Sequence, residues 1–117
     1  HVRPHLRQTQ KRGRMSRIPI ELILYTVSRR TGIDQATARE RHRREPKIVR
    51  YRQIVTVLAR QHSRMSFEAI AEAVGGTRKR HNTYSRAFAR GIADPETLAA
   101  VEEIGAELLN TQSGGCA

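Results

Sequence analysis

Between residues 66 and 76 the chain reads Ser-Phe-Glu-Ala-Ile-Ala-Glu-Ala-Val-Gly-Gly, and residues 77–84 continue Thr-Arg-Lys-Arg-His-Asn-Thr-Tyr. The apolar residues of the first segment recur at the spacing of one helix face: Phe67, Ile70, Ala71 and Val74. The two glycines predict a turn, and the polar segment after them predicts the start of a second helix. This order is typical of a helix-turn-helix, which places the start of its second helix in the major groove of DNA.

The composition favours a small helical domain with a polyanionic partner. The chain has 117 residues, 38% of them hydrophobic and only 4% aromatic, and its net charge is +11. We therefore expect an all-α fold, a compact bundle of five or six helices built on Ile, Leu, Val and Ala. A nucleic acid is favoured over a membrane, because no segment has strongly apolar and basic faces on opposite sides. The alternative is a basic protein that is merely soluble.

Caps and apolar spacing predict where the other helices lie. The first begins at Pro19 and ends at Gly32, and a short second helix spans about 35–41 after the cap Asp34. A basic loop with a proline at 41–47 precedes a longer helix over about 48–62. The helix after the turn is expected from about His81 to Ala89, and the last begins at Asp94-Pro95-Glu96.

The ends of the chain differ in composition from its middle. Residues 1–16 are basic and are expected to form a flexible arm, either ordered on a partner or a solvated tail. Residues 17–110 form the expected DNA-binding domain, and residues 111–117 a flexible tail. The lone Cys116 cannot form an internal disulfide, which suits a reducing cytoplasm. We expect a cytoplasmic, nucleoid-associated protein without a membrane span.

Charge is concentrated in two regions of the chain. Residues 39–52 hold seven Lys and Arg against two acids, and residues 77–90 hold five without any acid. From Gly91 onward the only charged residues are acids. Arg-rich helices that merely solvate themselves usually alternate in sign, so the acid-free stretch favours a DNA-binding side. The acidic last helix is a candidate for a protein partner or for self-association.

Three blocks resemble the C-terminal DNA-binding domain of the bacterial replication initiator DnaA. The first is Arg43-Arg44 followed by Ile-Val-Arg-Tyr-Arg-Gln at 48–53, and the second is Leu-Ala-Arg at 58–60. The third is Ser-Phe-x-x-Ile at 66–70 through Val-Gly-Gly at 74–76. The resemblance spans about residues 18–108, and the three blocks that carry it lie within that range. No phosphate loop of the G-x-x-x-x-G-K-[ST] type occurs, so the resemblance concerns the DNA-reading module, either as a fragment or as a stand-alone regulator.

The resemblance implies roles for particular residues. Arg44 matches the arginine that enters the minor groove, while Arg52, Arg60 and Ser66 match positions that meet the phosphate backbone. With two extra residues in the turn, His81 matches the family's His. Asn82 and Thr83 then match its two Thr, and Arg80 takes the place of an Asp, which predicts a base preference shifted toward guanine. An ungapped alignment instead puts Lys79 at the His position.

The full set of predicted DNA-binding residues combines charge, motif and resemblance. It consists of Arg43, Arg44, Arg50, Arg52, Arg60, Ser66, Arg78, Lys79, Arg80, His81, Asn82, Thr83 and Arg86. The predicted function is sequence-specific binding of double-stranded DNA in replication or transcription control. The alternative is a non-specific nucleoid-type or DNA-packaging-associated protein.

Catalysis is the weakest interpretation of the sequence. The five histidines lack the ligand spacing of a zinc site, and no nucleophile accompanies a base. We expect no enzymatic activity, no metal and no cofactor.

Overall fold

The computed structural model describes residues 17–40 and 42–116, and every regular element in these ranges is helical. The predicted basic arm at 1–16 lies outside the described residues. The α-helices are α1 (Ile20–Thr31), α2 (Gln35–Arg39), α3 (Pro46–Leu58), α4 (Phe67–Gly75), α5 (His81–Ala93) and α6 (Pro95–Cys116). A π-helical turn (Ala59–Ser63) follows α3, and a 3-10 turn (Arg78–Arg80) precedes α5. The prediction of an all-α bundle is confirmed.

Helix α3 is the centre of the bundle and contacts α1, α2, α5 and α6. The apolar residues at helical spacing, Tyr51, Ile54, Val55 and Leu58, are buried, and so are side chains on other faces, among them Ile48 and Val57. A helix surrounded by other helices needs apolar residues around most of its circumference. Each fully buried Ile, Leu or Val contributes about 1.5–3 kcal/mol to stability. Pro46 occupies the first turn, so α3 begins two residues earlier than the sequence predicted.

The π-helical turn after α3 holds the segment that leads into α1. The backbone N–H of Ile18 donates to the carbonyl of His62 over 3.0 Å, and the Ser63 hydroxyl donates to the carbonyl of Ile18. The Ile18 side chain is buried in the core. The structured domain therefore includes Ile18, in front of the first helix.

The helix-turn-helix consists of α4, the 3-10 turn and α5. The Ser66 hydroxyl accepts a hydrogen bond from the backbone N–H of Ala69 over 3.1 Å, which confirms its role as the cap of α4. Gly76 ends α4 with φ 85°, a conformation that glycine adopts at little cost. Arg78, Lys79 and Arg80 form the 3-10 turn, and α5 begins at His81 as predicted. It extends to Ala93, beyond the predicted end at Ala89.

A close contact joins the two helices of this motif. A Cβ atom placed on Gly75 would lie 2.8 Å from the hydroxyl oxygen of Tyr84. The Tyr84 side chain is 0% exposed, and its hydroxyl has no hydrogen-bond partner among the described residues. Glycine at position 75 therefore lets the end of α4 approach the Tyr84 hydroxyl this closely.

The acidic last helix packs along α1 and neutralises its arginines. Glu107 pairs with Arg29 and Arg30, and Glu103 pairs with Arg30. Helix α6 continues to Cys116, whereas the sequence predicts a small polar tail from Thr111. None of the helices in the described ranges is long and apolar enough to cross a membrane.

Candidate nucleic-acid interface

Arg52 holds the basic loop between α2 and α3 in place. Its guanidinium donates to the carbonyls of Ala38 over 3.1 Å, Arg43 over 2.9 Å and Glu40 over 2.8 Å. The residue is only 7% exposed. Burial lowers the pKa of Arg52, and the nearby charges of Arg80 and Arg44 lower it further. The resemblance implies a phosphate contact for Arg52, whereas in the structure its guanidinium is directed inward, toward these three carbonyls.

The two arginines at the tip of this loop have different surroundings. Arg43 pairs with Glu45 over 2.8 Å and with Glu40 over 3.5 Å. The hydrogen bond and the charge of Glu45 raise the pKa of Arg43. Arg44 is exposed and makes no ion pair or hydrogen bond within the part of the chain that the structure describes. Of the pair, Arg44 is therefore the arginine that is available to a groove of DNA.

The first turn of α5 carries the polar side chains expected to read bases. Asn82 is exposed, and His81 and Thr83 are half-buried. Lys79 lies in the preceding 3-10 turn and is exposed, whereas His81 is the first residue of α5. A helix that begins at His81 presents these side chains at its N-terminus, where groove-inserted helices make their contacts.

A cleft of about 280 Å³ joins the basic loop to α5. Five arginines contribute to its wall, and we call it the arginine cleft: Arg44, Arg52, Arg80, Arg86 and Arg90. Thr83 also lines it, and no carboxylate does. Arg90 is absent from the predicted set, although it lies four residues after Arg86 and hence on the same helix face. The spacing of four residues from Arg86 is the sequence feature that could have identified Arg90.

Arg60 and Ser66 lie at the start of α4 rather than in the cleft. The Arg60 guanidinium lies 4.5 Å from the ring centroid of Phe67 and 5.9 Å from that of Phe88. It also donates to the carbonyl of Met65 over 3.0 Å. Arg60 remains exposed, and the rings restrict its side chain by cation–π attraction.

Besides Arg43, two further predicted site arginines are paired with carboxylates. Arg50 approaches Glu96 to 2.8 Å and Asp94 to 3.7 Å at the start of α6, and thus points away from the basic loop. Arg78 pairs with Glu72 of α4 over 2.9 Å. Exposed pairs of this kind are weak, so Arg78 can exchange its partner for a phosphate at low cost.

In the described ranges no three His, Cys, Asp or Glu side chains are grouped so as to hold a metal ion.

These observations define a class of protein. A capped helix, a glycine turn and a polar second helix stand beside an arginine-rich loop, which is the architecture of a helix-turn-helix DNA-binding module. Residues 20–89, more than half of the chain, match the family described as the bacterial DnaA protein helix-turn-helix. The chain belongs to this family, and membership implies binding to double-stranded DNA. No match was found among curated proteins or among solved structures.

Proposed function

We propose that the protein binds double-stranded DNA at specific sequences, with the start of α5 in the major groove and Arg44 in the adjacent minor groove. The observation that carries the proposal is the arginine cleft, because it links the loop of Arg44 directly to the first turns of α5. A single rigid surface is thereby available to both grooves. The bound sites would serve control of replication or of transcription.

The side chains divide into two groups by their chemistry. Arginine and lysine neutralise phosphates and add affinity that depends on salt but not on sequence. Asn82 can bond adenine through two hydrogen bonds, and the methyl group of Thr83 can contact thymine. His81 adds a further hydrogen-bonding group. Specificity in this proposal therefore depends on the first turn of α5 and on Arg44, while the remaining cations supply general affinity.

Selection of bound duplexes from a random pool tests the proposal directly. We expect convergence on one motif with an A·T-rich segment beside it, because Arg44 favours the narrow minor groove of such DNA. The selected duplex should bind at least about a thousandfold more tightly than scrambled DNA at physiological salt. A pool that fails to converge at every salt concentration would reject sequence-specific binding.

Arg44→Ala should weaken binding to the selected duplex by about tenfold or more and relax the preference for A·T pairs in the minor-groove segment. The reason is that the other described arginine of the basic loop, Arg43, is paired with Glu40 and Glu45, whereas Arg44 is exposed and has no carboxylate partner among the described residues. Fluorescence anisotropy with the selected duplex and a G·C-substituted duplex measures both effects. Arg64→Asn is the matched control, because it removes one exposed charge and suits the left-handed backbone at that position (φ 56°). Unchanged affinity and preference would remove Arg44 from the interface.

The alternative is a non-specific nucleoid-type protein that associates through its acidic last helix. Two of the acids of that helix, Glu103 and Glu107, already pair with arginines of α1. Because these two carboxylates are already paired within the domain, fewer unpaired acids of the helix remain for a basic partner. We therefore favour the sequence-specific function.

A further inference from the structure

We propose that the arginine cleft is a phosphate-binding site formed by Arg80, Arg86 and Arg90, with Arg44 and Arg52 at its other wall. Arg80 lies in the 3-10 turn, where the resemblance implies an Asp, so the site includes a cation that the family pattern does not supply. The sequence predicted that Arg80 reads guanine, and the cleft assigns it a different ligand. The proposal that the phosphate comes from the DNA backbone rests on the proposed function. The proposal that the cleft binds a phosphate group does not.

Arg80 has a buried guanidinium nitrogen, Nη1, that lacks a hydrogen-bond acceptor among the described residues. A guanidinium that is withdrawn from water without an acceptor carries an unfavourable desolvation cost. The positive charge of Arg80 also lowers the pKa of Arg52 across the cleft. An anion that binds the accessible part of the guanidinium would offset the repulsion between Arg80 and Arg52 and compensate part of the charge that is withdrawn from water.

The shape and lining of the cleft favour phosphate over a carboxylate side chain or a base edge. Arginines approach from the loop, from the turn and from two successive turns of α5, so a ligand with oxygens in several directions is required. Phosphate has such a tetrahedral set, and arginine binds it with two parallel hydrogen bonds. The Thr83 hydroxyl supplies an additional donor at the edge of the cleft.

Two sources could supply this phosphate group, namely the DNA backbone and a free phosphate or phosphate ester. The cleft lies between Arg44 and the first turns of α5. In the proposed complex this is the wall between the two grooves, where the backbone of one strand runs. The structure therefore favours a backbone phosphate, and the experiment below separates it from the free anion.

The first experiment titrates the DNA-free protein with inorganic phosphate and follows the arginine side-chain NMR signals. We expect saturable shifts of the cleft arginines that chloride at equal ionic strength does not produce. Arg80→Gln should weaken phosphate binding about tenfold, since one charge-assisted pair is lost. Arg90→Gln, at an exposed position of α5, is a second variant, and Arg64→Asn should leave phosphate binding unchanged. Absence of saturable shifts, or binding that neither cleft variant weakens, overturns the site even if the protein binds DNA.

The second experiment identifies the source of the phosphate. Each phosphate of the selected duplex is replaced in turn by a neutral methylphosphonate, and affinity is measured for wild type and for Arg80→Gln. At one position we expect the wild type to lose about tenfold and the variant to lose almost nothing, because both changes remove the same contact. If no position behaves in this way while inorganic phosphate still binds, the backbone source is wrong and the free anion is the ligand. Phosphate binding without sequence-specific DNA binding would contradict the proposed function and support the site.

Discussion

Arg52→Met should lower the free energy of unfolding by about 3 kcal/mol in the absence of DNA. The substitution keeps most of the buried stem but removes the donors for the carbonyls of Ala38, Glu40 and Arg43. A buried polar group that loses its partner costs about 1–3 kcal/mol, and the two partly exposed carbonyls cost less because water can reach them. In a domain of this size the melting temperature should fall by roughly 10–20 °C.

The stability of the DNA-free protein distinguishes two roles of Arg52. A residue that only touched phosphate would contribute nothing to folding without DNA. Thermal and urea unfolding of Arg52→Met therefore tests the structural role. Arg52→Lys is the graded control, because one ammonium cannot reproduce the rigid fork that reaches three carbonyls, and an intermediate loss is expected. A melting temperature within about 2 °C of wild type would contradict the role of Arg52 as an anchor of the loop.

Gly75→Ala should destabilise the domain by about 1–2 kcal/mol, although alanine is the better helix former. The added Cβ would lie 2.8 Å from the Tyr84 hydroxyl oxygen, and the fully buried ring has little space to move. Tyr84→Phe alone should be neutral or stabilising by up to about 1 kcal/mol, because the hydroxyl is buried without a partner among the described residues.

The double variant tests the contact itself. In the Tyr84→Phe background the nearest ring carbons lie 3.5 Å from the added Cβ, which is an ordinary contact distance. Gly75→Ala should then be neutral or stabilising, and a urea-denaturation cycle should give a coupling of about 2 kcal/mol. Additive effects would show that the hydroxyl is not the obstacle. A large loss for Tyr84→Phe alone would mean that the hydroxyl is satisfied in solution.

Local features of the sequence predicted the boundaries that depend on local chemistry. Asp34 and Ser66 cap the helices that were expected to follow them, and Gly32 and Gly76 end helices in the left-handed conformation. These helix ends could be predicted because a cap depends only on the residues of its own short segment. The π-helical turn at Ala59–Ser63 was not predicted, since nothing in its residues departs from an ordinary helix.

The surroundings of the arginines could not be predicted from charge alone. By sequence alone, these four arginines form one basic cluster: Arg43, Arg44, Arg50 and Arg52. In the structure, Arg44 is the one of the four that is exposed and has no partner among the described residues. Whether an arginine meets water, a carboxylate or a buried carbonyl depends on which helices pack beside it. The arginine cleft likewise arises from the packing of α5 on α3, which brings together residues almost fifty positions apart.

The ion pairs of α6 with Arg29 and Arg30, and of its first turn with Arg50, have a consequence for how the protein meets its partner. They cancel positive charge on the side of α1 and α6, whereas the arginines of the cleft have no carboxylate partner among the described residues. A molecule with such an uneven charge experiences a torque in the field of a polyanion. It would turn during its diffusional approach, so that a larger share of collisions begins with the correct side facing the DNA. The acids of α6 would then increase the rate of productive encounter without touching DNA.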